Sequence, residues 1–305
     1  MSPTSTSRLV GLDLGGTTIK AGALAPSGQV LGELSVPTPV AGGPQAVLDA
    51  LAALARELAA PGRVGVGVPG LLDRHRGVVL ESPNFPGFRD FDVRGGLAAR
   101  LGFAPERVLV ENDANAAALG EQWLGAARGE PDVLVLTLGT GIGSGLILDG
   151  RLVVGAGLAA EAGHIVVDPA GAVCGCGRRG CVETLGSASA AQRRALEAGL
   201  PAEAPGDLVL LADKARAGAE AERKLLWDVG RDLGHMLAIV VCLLDLRLFV
   251  FGGGFSAALD LLEGGIRQGV DERCYGNRAG LIRLRRAGLG PSAGWIGAAR
   301  PLLLA

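Results

Sequence analysis

The sequence predicts an α/β protein of two domains, and three observations carry that expectation. Apolar, β-rich runs alternate with stretches whose leucines and alanines fall at helical spacing along the 305 residues. A strand, glycine turn, strand unit occurs twice, once around Asp13 and once around Gly139, as if both halves follow one plan. After the second unit comes a short loop rich in cysteine and glycine that reads as a metal site. A chain of this length can bury two cores of ordinary size.

Composition narrows the function. Hydrophobic residues make up 49% and charged residues 20% of the chain, with a formal net charge of -2. That balance leaves no electrostatic footprint for nucleic acid or an anionic membrane. The first seven residues carry neither a basic start nor an apolar core, so no secretory signal is expected and a cytoplasmic protein is. The apolar run 236–244 is shorter than the roughly 20 residues a bilayer span needs, and Asp245 and Arg247 close it. The 50 glycines gather in pairs and triplets at the ends of apolar runs, where backbone turns tightly or meets a ligand.

Taken in order, residues 8–24 read as a strand, a turn through Gly15, Gly16, Thr17 and Thr18, and a second strand carrying Lys20; Ser27-Gly28 starts a third. A carboxylate closing a strand beside exposed N–H groups and a hydroxyl suits a Mg-bound polyphosphate, and a plain glycine hairpin has the same pattern. Residues 43–60 are helical and 63–68 form a strand ending at Pro69-Gly70. Residues 72–91, with Ser82-Pro83-Asn84-Phe85-Pro86, read as a loop, either on the surface or covering a cleft. A helix at 93–101 and a strand at 107–111 lead into Asn112-Asp113-Ala-Asn115, the start of an alanine-rich helix. There Asp113 fits both an N-cap and a carboxylate at a strand's carboxyl end, where α/β sheets bind substrate.

Residues 132–138 are a strand that ends in Gly139-Thr140-Gly141-Ile142-Gly143-Ser144-Gly145 and returns as a hairpin through Asp149-Gly150. Two such glycine turns facing each other could clamp a nucleotide triphosphate. Helices follow at 187–198, 206–217 and 219–244, then a strand at 247–251 that enters a helix through Gly252-Gly253-Gly254. A strand at 281–285 and a helix at 293–304 complete the chain.

Cys174, Cys176, Cys181 and His164 are three of the five cysteines and one of the three histidines, and they supply the donor set of a closed tetrahedral zinc site. A disulfide with a stray thiol is the competing reading, but Cys174 and Cys176 are too close to bridge without strain. Glu161 and Glu183 flank the ligands. Loss of the ion is expected to free Glu183 and to leave the Asp13 and Gly139 turns untouched. Cys242 and Cys274 read as unpaired thiols, and His75 and His235 as structural.

Five motifs occur in order: Asp13-Leu-Gly-Gly-Thr-Thr-Ile-Lys20, Glu111-Asn-Asp-Ala-Asn-Ala-Ala-Ala-Leu-Gly-Glu121, Thr137-Leu-Gly-Thr-Gly-Ile-Gly-Ser-Gly145, Glu161-Ala-Gly-His164 and Cys174-Gly-Cys-Gly-Arg-Arg-Gly-Cys-Val-Glu183. Together they closely resemble the ROK family of sugar kinases and repressors. The resemblance implies a two-domain actin-like ATPase (ribonuclease H-like) fold, with Asp113 as catalytic base. Gly70, Asn84, Asn112, Asp113, Glu161, His164 and Glu183 would line the sugar site. Asp13, Gly15, Gly16, Thr17, Lys20, Gly139, Thr140, Gly141, Gly253 and Gly254 would bind the nucleotide. His164 would serve metal and sugar alike. Ser144 stands where the family usually has glycine, and Ala160 replaces the glycine that commonly precedes Glu161.

The expected activity is ATP-dependent phosphorylation of a hexose 6-hydroxyl, glucose first, with N-acetylmannosamine, N-acetylglucosamine, allose or fructose as alternatives. ATP, Mg²⁺ and a structural Zn²⁺ are the expected cofactors, and a homodimer or homotetramer the expected assembly. Phosphoryl transfer needs mainly positioning, charge neutralisation and a proton acceptor, which glycine turns, Mg²⁺ and one carboxylate supply. Valine at Gly16 or Gly141 is expected to weaken ATP more than sugar. A sugar-responsive repressor is the rival; the seven residues ahead of the first strand leave no room for a helix-turn-helix. The expected smaller domain is 1–114, completed by a helix at 291–305, and the larger is 115–290 with the zinc loop at 164–183.

Overall fold

A computed structural model describes residues 8–82, 85, 87–204 and 206–303. The strands β1 (Leu9–Leu14), β2 (Thr18–Leu24) and β3 (Val30–Pro37) form an antiparallel meander. The amphipathic helix α1 (Gly43–Glu57) then buries Val47, Leu48, Leu51 and Leu54 and returns the chain to β4 (Val64–Val68), parallel to β1. All five residues of β4 are buried, as expected of a strand covered on both faces.

The segment expected to be a loop instead contains a small antiparallel sheet: β5 (Leu71–Asp73), β6 (Val78–Glu81) and β7 (Phe91–Asp92). These strands have 3, 4 and 2 residues, too few for alternation to register. Helix α2 (Val93–Leu101), capped by the Asp92 carboxylate on the Gly95 N–H, leads to β8 (Val108–Asn112), which completes a sheet ordered β3-β2-β1-β4-β8.

After α3 (Asp113–Leu124) the plan repeats. The antiparallel strands β9 (Val133–Leu138), β10 (Ile142–Leu148) and β11 (Arg151–Leu152) come first. The helices α4 (Glu183–Gly186), α5 (Ala188–Glu197), α6 (Asp207–Arg216) and α7 (Glu220–Leu244) follow the cysteine loop. Then β12 (Leu248–Gly252), α8 (Leu259–Arg273) and β13 (Arg283–Arg286) give a second sheet ordered β11-β10-β9-β12-β13, with β9, β12 and β13 parallel. The echo between the two glycine-turn units is therefore an echo of topology. Each sheet carries its own core, one built with α1 and α2, the other with α5 to α8. No described helix is long and apolar enough to cross a membrane.

The last helix, α9 (Ala293–Ala299), is shorter than expected and continues as a 3-10 turn to Leu303. It packs against β1, β4 and α3, and α3 in turn packs against β9 and β10. Glycine makes this layer thin. A Cβ at Gly297 would lie 1.6 Å from the Ala116 carbonyl oxygen, and one at Gly120 would lie 2.3 Å from that of Ala293. Cys242 and Cys274 are free thiols, as expected, and they meet at the ends of α7 and α8 with their Sγ atoms 3.4 Å apart. His235 is tied to Glu272 of α8 at 2.8 Å.

Glu121 fixes this layer to the end of the chain. Its side chain is fully buried and accepts N–H bonds from Ala126 at 2.7 Å and from Gly288 and Leu289 at 2.9 Å. Glu121→Ala leaves three partly buried N–H groups without their acceptor, at about 1 kcal/mol each, the low end of the range for such a loss. Urea unfolding should therefore show a loss of about 3 kcal/mol or more; a midpoint shift worth under about 1 kcal/mol would show that water replaces the carboxylate.

Candidate active site

The carboxyl ends of β1, β4 and β8 converge, as ligand sites in parallel sheets do. Asp13 closes β1 and Asn112 closes β8, with Asp113 opening α3. Gly67, on β4 between them, would place a Cβ 3.6 Å from the Asp113 Cα and 3.7 Å from an Asp13 oxygen. The Asp13 turn is closed by the Gly15 N–H on the Thr18 oxygen at 3.1 Å. The Thr38 hydroxyl also donates to the Gly15 oxygen at 2.7 Å, a latch from beyond β3 that no local motif announces. Gly16 and Thr17 are left exposed.

The N-cap of α3 is Asn112, not Asp113. The Asn112 amide oxygen accepts the N–H groups of Ala114 at 2.9 Å and Asn115 at 3.1 Å, and its NH₂ donates to the Gly70 oxygen at 3.3 Å. With its oxygen so committed, Asn112 has only its remaining amide hydrogen for a ligand. Capping by its neighbour leaves one Asp113 oxygen free while Oδ1 accepts the Ala114 N–H at 2.9 Å. Behind the cap, Glu111 is buried; it accepts from the Asn112 N–H and the Asn115 amide at 3.1 Å each and pairs with Arg74 at 2.5 Å. Asn84 lies outside the described residues.

Electrostatics join these carboxylates. Burial, and then the Asp113 charge, push Asp13 up to about 7 against the pull of Lys20. Burial also raises Asp113; the N–H groups of Ala114 and of Asp113 itself oppose this, and the Glu161 charge adds to it. Glu161 is raised by desolvation at the cleft wall, with His164 lowering and Glu183 raising it. Asp13, Asp113, Glu161 and Glu183 thus form a continuous row of acidic neighbours.

The second glycine turn, between β9 and β10, is tied to the cysteine loop. A Glu183 oxygen accepts the Ile142 N–H at 2.9 Å and would lie 2.4 Å from a Cβ at Gly141. The Ala188 N–H donates to the Gly139 oxygen at 2.9 Å. This corrects two expectations. The Gly139 turn is not independent of the cysteine loop, and valine at Gly141 displaces Glu183 as well as blocking approach to the backbone. Thr140, at the tip of the turn, is exposed. Gly253 and Gly254, at the end of β12, are exposed too; Gly253 has φ 77° and is backed by the Leu138 carbonyl, a position only glycine fills readily.

The donor set suits zinc. One ligand atom each of His164, Cys174, Cys176 and Cys181 lie within 4.8 Å of one another. The Cys174 Sγ is 3.6 Å from the His164 Nδ1, and the Cys176 and Cys181 sulfurs are 3.6 Å apart. Around a tetrahedral zinc ion, bond lengths of about 2.0–2.3 Å set such separations at roughly 3.5–3.8 Å. The Arg178 N–H is the first cause that holds the Cys176 thiol below its ordinary value. Because Nδ1 faces the sulfurs, Nε2 is the ring nitrogen left for another partner.

Known proteins similar to this chain match nearly its whole length. The family model described as ROK family matches residues 9–303. The chain is 37% identical to a glucokinase of Thermotoga maritima, over 96% of each chain. Among solved structures it is similar to the ROK hexokinase of Thermus thermophilus (38% identity, TM-score 0.80, covering 96% of this chain and 97% of that one). It is also similar to a ROK family glucokinase of Streptomyces griseus in complex with glucose and AMPPNP (33% identity, TM-score 0.78, covering 96% and 98%).

Asp13 carries a pH signature. Its ordinary value is 3.8 and its value in the fold about 7, so the folded state holds the proton more tightly. The stability this contributes is full below about 3.8 and is lost as pH rises through about 7. Asparagine at this position is neutral throughout. Asp13→Asn should therefore raise the Tm of the protein free of Mg²⁺ and nucleotide at pH 8, and by clearly less at pH 5. An equal change at both values would show that the buried charge is not its cause.

Proposed function

This chain belongs to the ROK family, and we propose that it is an ATP-dependent hexose kinase that phosphorylates the 6-hydroxyl, with glucose as its substrate. The single observation that carries the reading is the Asp113 carboxyl. It is withdrawn from water at a strand's end, electrostatically coupled to Asp13 of the first glycine turn on one side and to Glu161 on the other.

In this reading Asp113 accepts the 6-hydroxyl proton as that oxygen bonds to the γ-phosphorus of ATP and the bond to the ADP oxygen breaks. Burial makes it a stronger base than an exposed aspartate, which moves it toward the working pH range of a general base. Glu161, Glu183, the His164 Nε2, the Asn112 amide and the Gly70 backbone hold the other hydroxyls; Asn84 belongs to the same set. Backbone N–H groups of the Gly15-Gly16-Thr17 and Gly139-Thr140-Gly141 turns face the phosphates, with Gly253 and Gly254 beside the nucleotide. Asp13 would hold Mg²⁺, which neutralises phosphate charge, and Lys20 balances the same carboxylate.

His164, Cys174, Cys176 and Cys181 would hold Zn²⁺, which supplies a structural constraint. When bound, the ion would fix the imidazole through Nδ1, leaving Nε2 for a substrate hydroxyl, and would anchor the segment that bears Glu183. Solubility in the cytoplasm and a homo-oligomeric assembly complete the proposal.

A sugar panel, two variants, the zinc content and zinc-depleted protein test it. A panel of glucose, N-acetylmannosamine, N-acetylglucosamine, allose and fructose in an ADP-release assay should give the highest kcat/KM with glucose; preference for an N-acetyl sugar would reassign the substrate. Asp113→Ala should lower kcat by about 10²–10⁴ with hexose affinity largely kept, and a variant that keeps more than a third of wild-type turnover sinks the assignment. Purified protein should contain about one zinc per chain. Cys176→Ser should raise the KM for hexose, and that for ATP as well, because Glu183 also holds the Ile142 N–H. Unchanged constants in folded, zinc-depleted protein would leave the ion with stability alone.

A further inference from the structure

Glu161 occupies an unusual backbone. Its φ of -71° and ψ of 57°, with the Ala162 N–H bonded to the Ala160 oxygen at 2.7 Å, define an inverse γ-turn with Glu161 at its apex. The preceding residue, Ala160, has φ 65°, a left-handed conformation that disfavours any residue with a Cβ. Within residues 160–162 the turn is closed by that one backbone bond.

A second closure comes from another element. Ser144 lies on β10, paired with Leu136 of β9, and its side chain is buried. Its hydroxyl donates to the Ala160 oxygen and accepts the Ala162 N–H at 3.0 Å. One hydroxyl thus closes both ends of the three-residue turn whose apex is Glu161. With its proton and one lone pair so engaged, it is poorly placed to act as a substrate ligand, although it lies along the same cleft wall as Glu161, Asn112 and Asn115.

We propose that Ser144 is a positioning residue that holds Glu161 toward the hexose by stabilising the left-handed Ala160. The inference rests on the reading that Glu161 binds a hexose hydroxyl. Without the hydroxyl the turn relaxes in the free enzyme, and hexose must reorder it on binding. The nucleotide turn at the start of β10 is tied by Glu183 and Ala188 and makes no bond to the Ser144 hydroxyl, so the defect falls first on the sugar.

Kinetics on a double-mutant cycle test this. Ser144→Ala should raise the hexose KM about tenfold while the ATP KM stays within about twofold, tenfold being about 1.4 kcal/mol. Ser144→Cys, nearly equal in volume and a weaker hydrogen-bonder, should fall between the two. Ala160→Gly alone should change the hexose KM little, since glycine accepts φ 65° without cost. In the Ser144→Ala background it should recover most of the loss. A hexose KM within twofold of wild type in Ser144→Ala, an equal rise for hexose and ATP, or no recovery in the double variant each overturns the proposal. Glu161→Gln separates it from its foundation. If that variant binds hexose as wild type does, the role of Glu161 fails and the positioning role with it. If Glu161→Gln loses affinity and Ser144→Ala does not, the positioning role alone fails.

Discussion

Four carboxylates in one cleft are the constraint around which this molecule is arranged. Asp13, Asp113 and Glu161 are each raised first by loss of water, and each next carboxylate in the row adds to the effect. Such a row is costly in a folded protein, because desolvation and like charge both oppose ionisation. It persists because every member is anchored on a different element: a strand end, a helix start, a γ-turn and the short helix after the cysteine loop. The same arrangement gives the site its chemistry. In the proposed reading, a base strengthened by burial, a place for a divalent cation and acceptors for hydroxyl groups share that one physical cause.

Helix α3 links that cleft to the body of the protein. Its first turn carries Asn112 and Asp113, and its last turn carries Glu121, which grips the backbone before α9. Between these ends α3 is alanine and glycine on its packed side, so α9 approaches to backbone contact and both sheets lie within reach. Small side chains here are a packing requirement first. The alanine-rich motif that suggests a family by resemblance is, physically, the thin layer on which two sheets meet.

Much of this was legible in the sequence. The two strand, glycine turn, strand units foretold two sheets of one topology, because glycine pairs after apolar runs mark turns by steric necessity. The clustering of His164, Cys174, Cys176 and Cys181 was legible because three cysteines and a histidine in a glycine-rich loop have few other uses. The small sheet was not, since strands as short as Phe91–Asp92 leave no period to read. The capping role was assigned to Asp113 because both residues at that junction cap well, and only the backbone geometry at Asn112 decides between them. The contacts of Thr38, Arg74 and Ser144 were not legible, for a shared reason. Each acts on a segment far away in sequence, and no local pattern records such a contact. The one signal available for Ser144 was its paired departure with Ala160 from the family pattern, two changes that touch in space.

Glu183 shows why those long-range contacts matter for function. Its position after Cys181 follows from the cysteine loop, yet its carboxylate is bonded to the Ile142 N–H of the second glycine turn and lies beside Glu161 and the Cys174 sulfur. A side chain shared between a turn suited to phosphate and a row suited to hydroxyl groups cannot serve one without affecting the other. Any ligand that pulls on this carboxylate changes the backbone presented to the second ligand, and by linkage the effect runs equally in both directions. Through Glu183, whose carboxylate accepts from both the Ile142 N–H and the Cys174 thiol, the cysteine loop is tied to the second glycine turn.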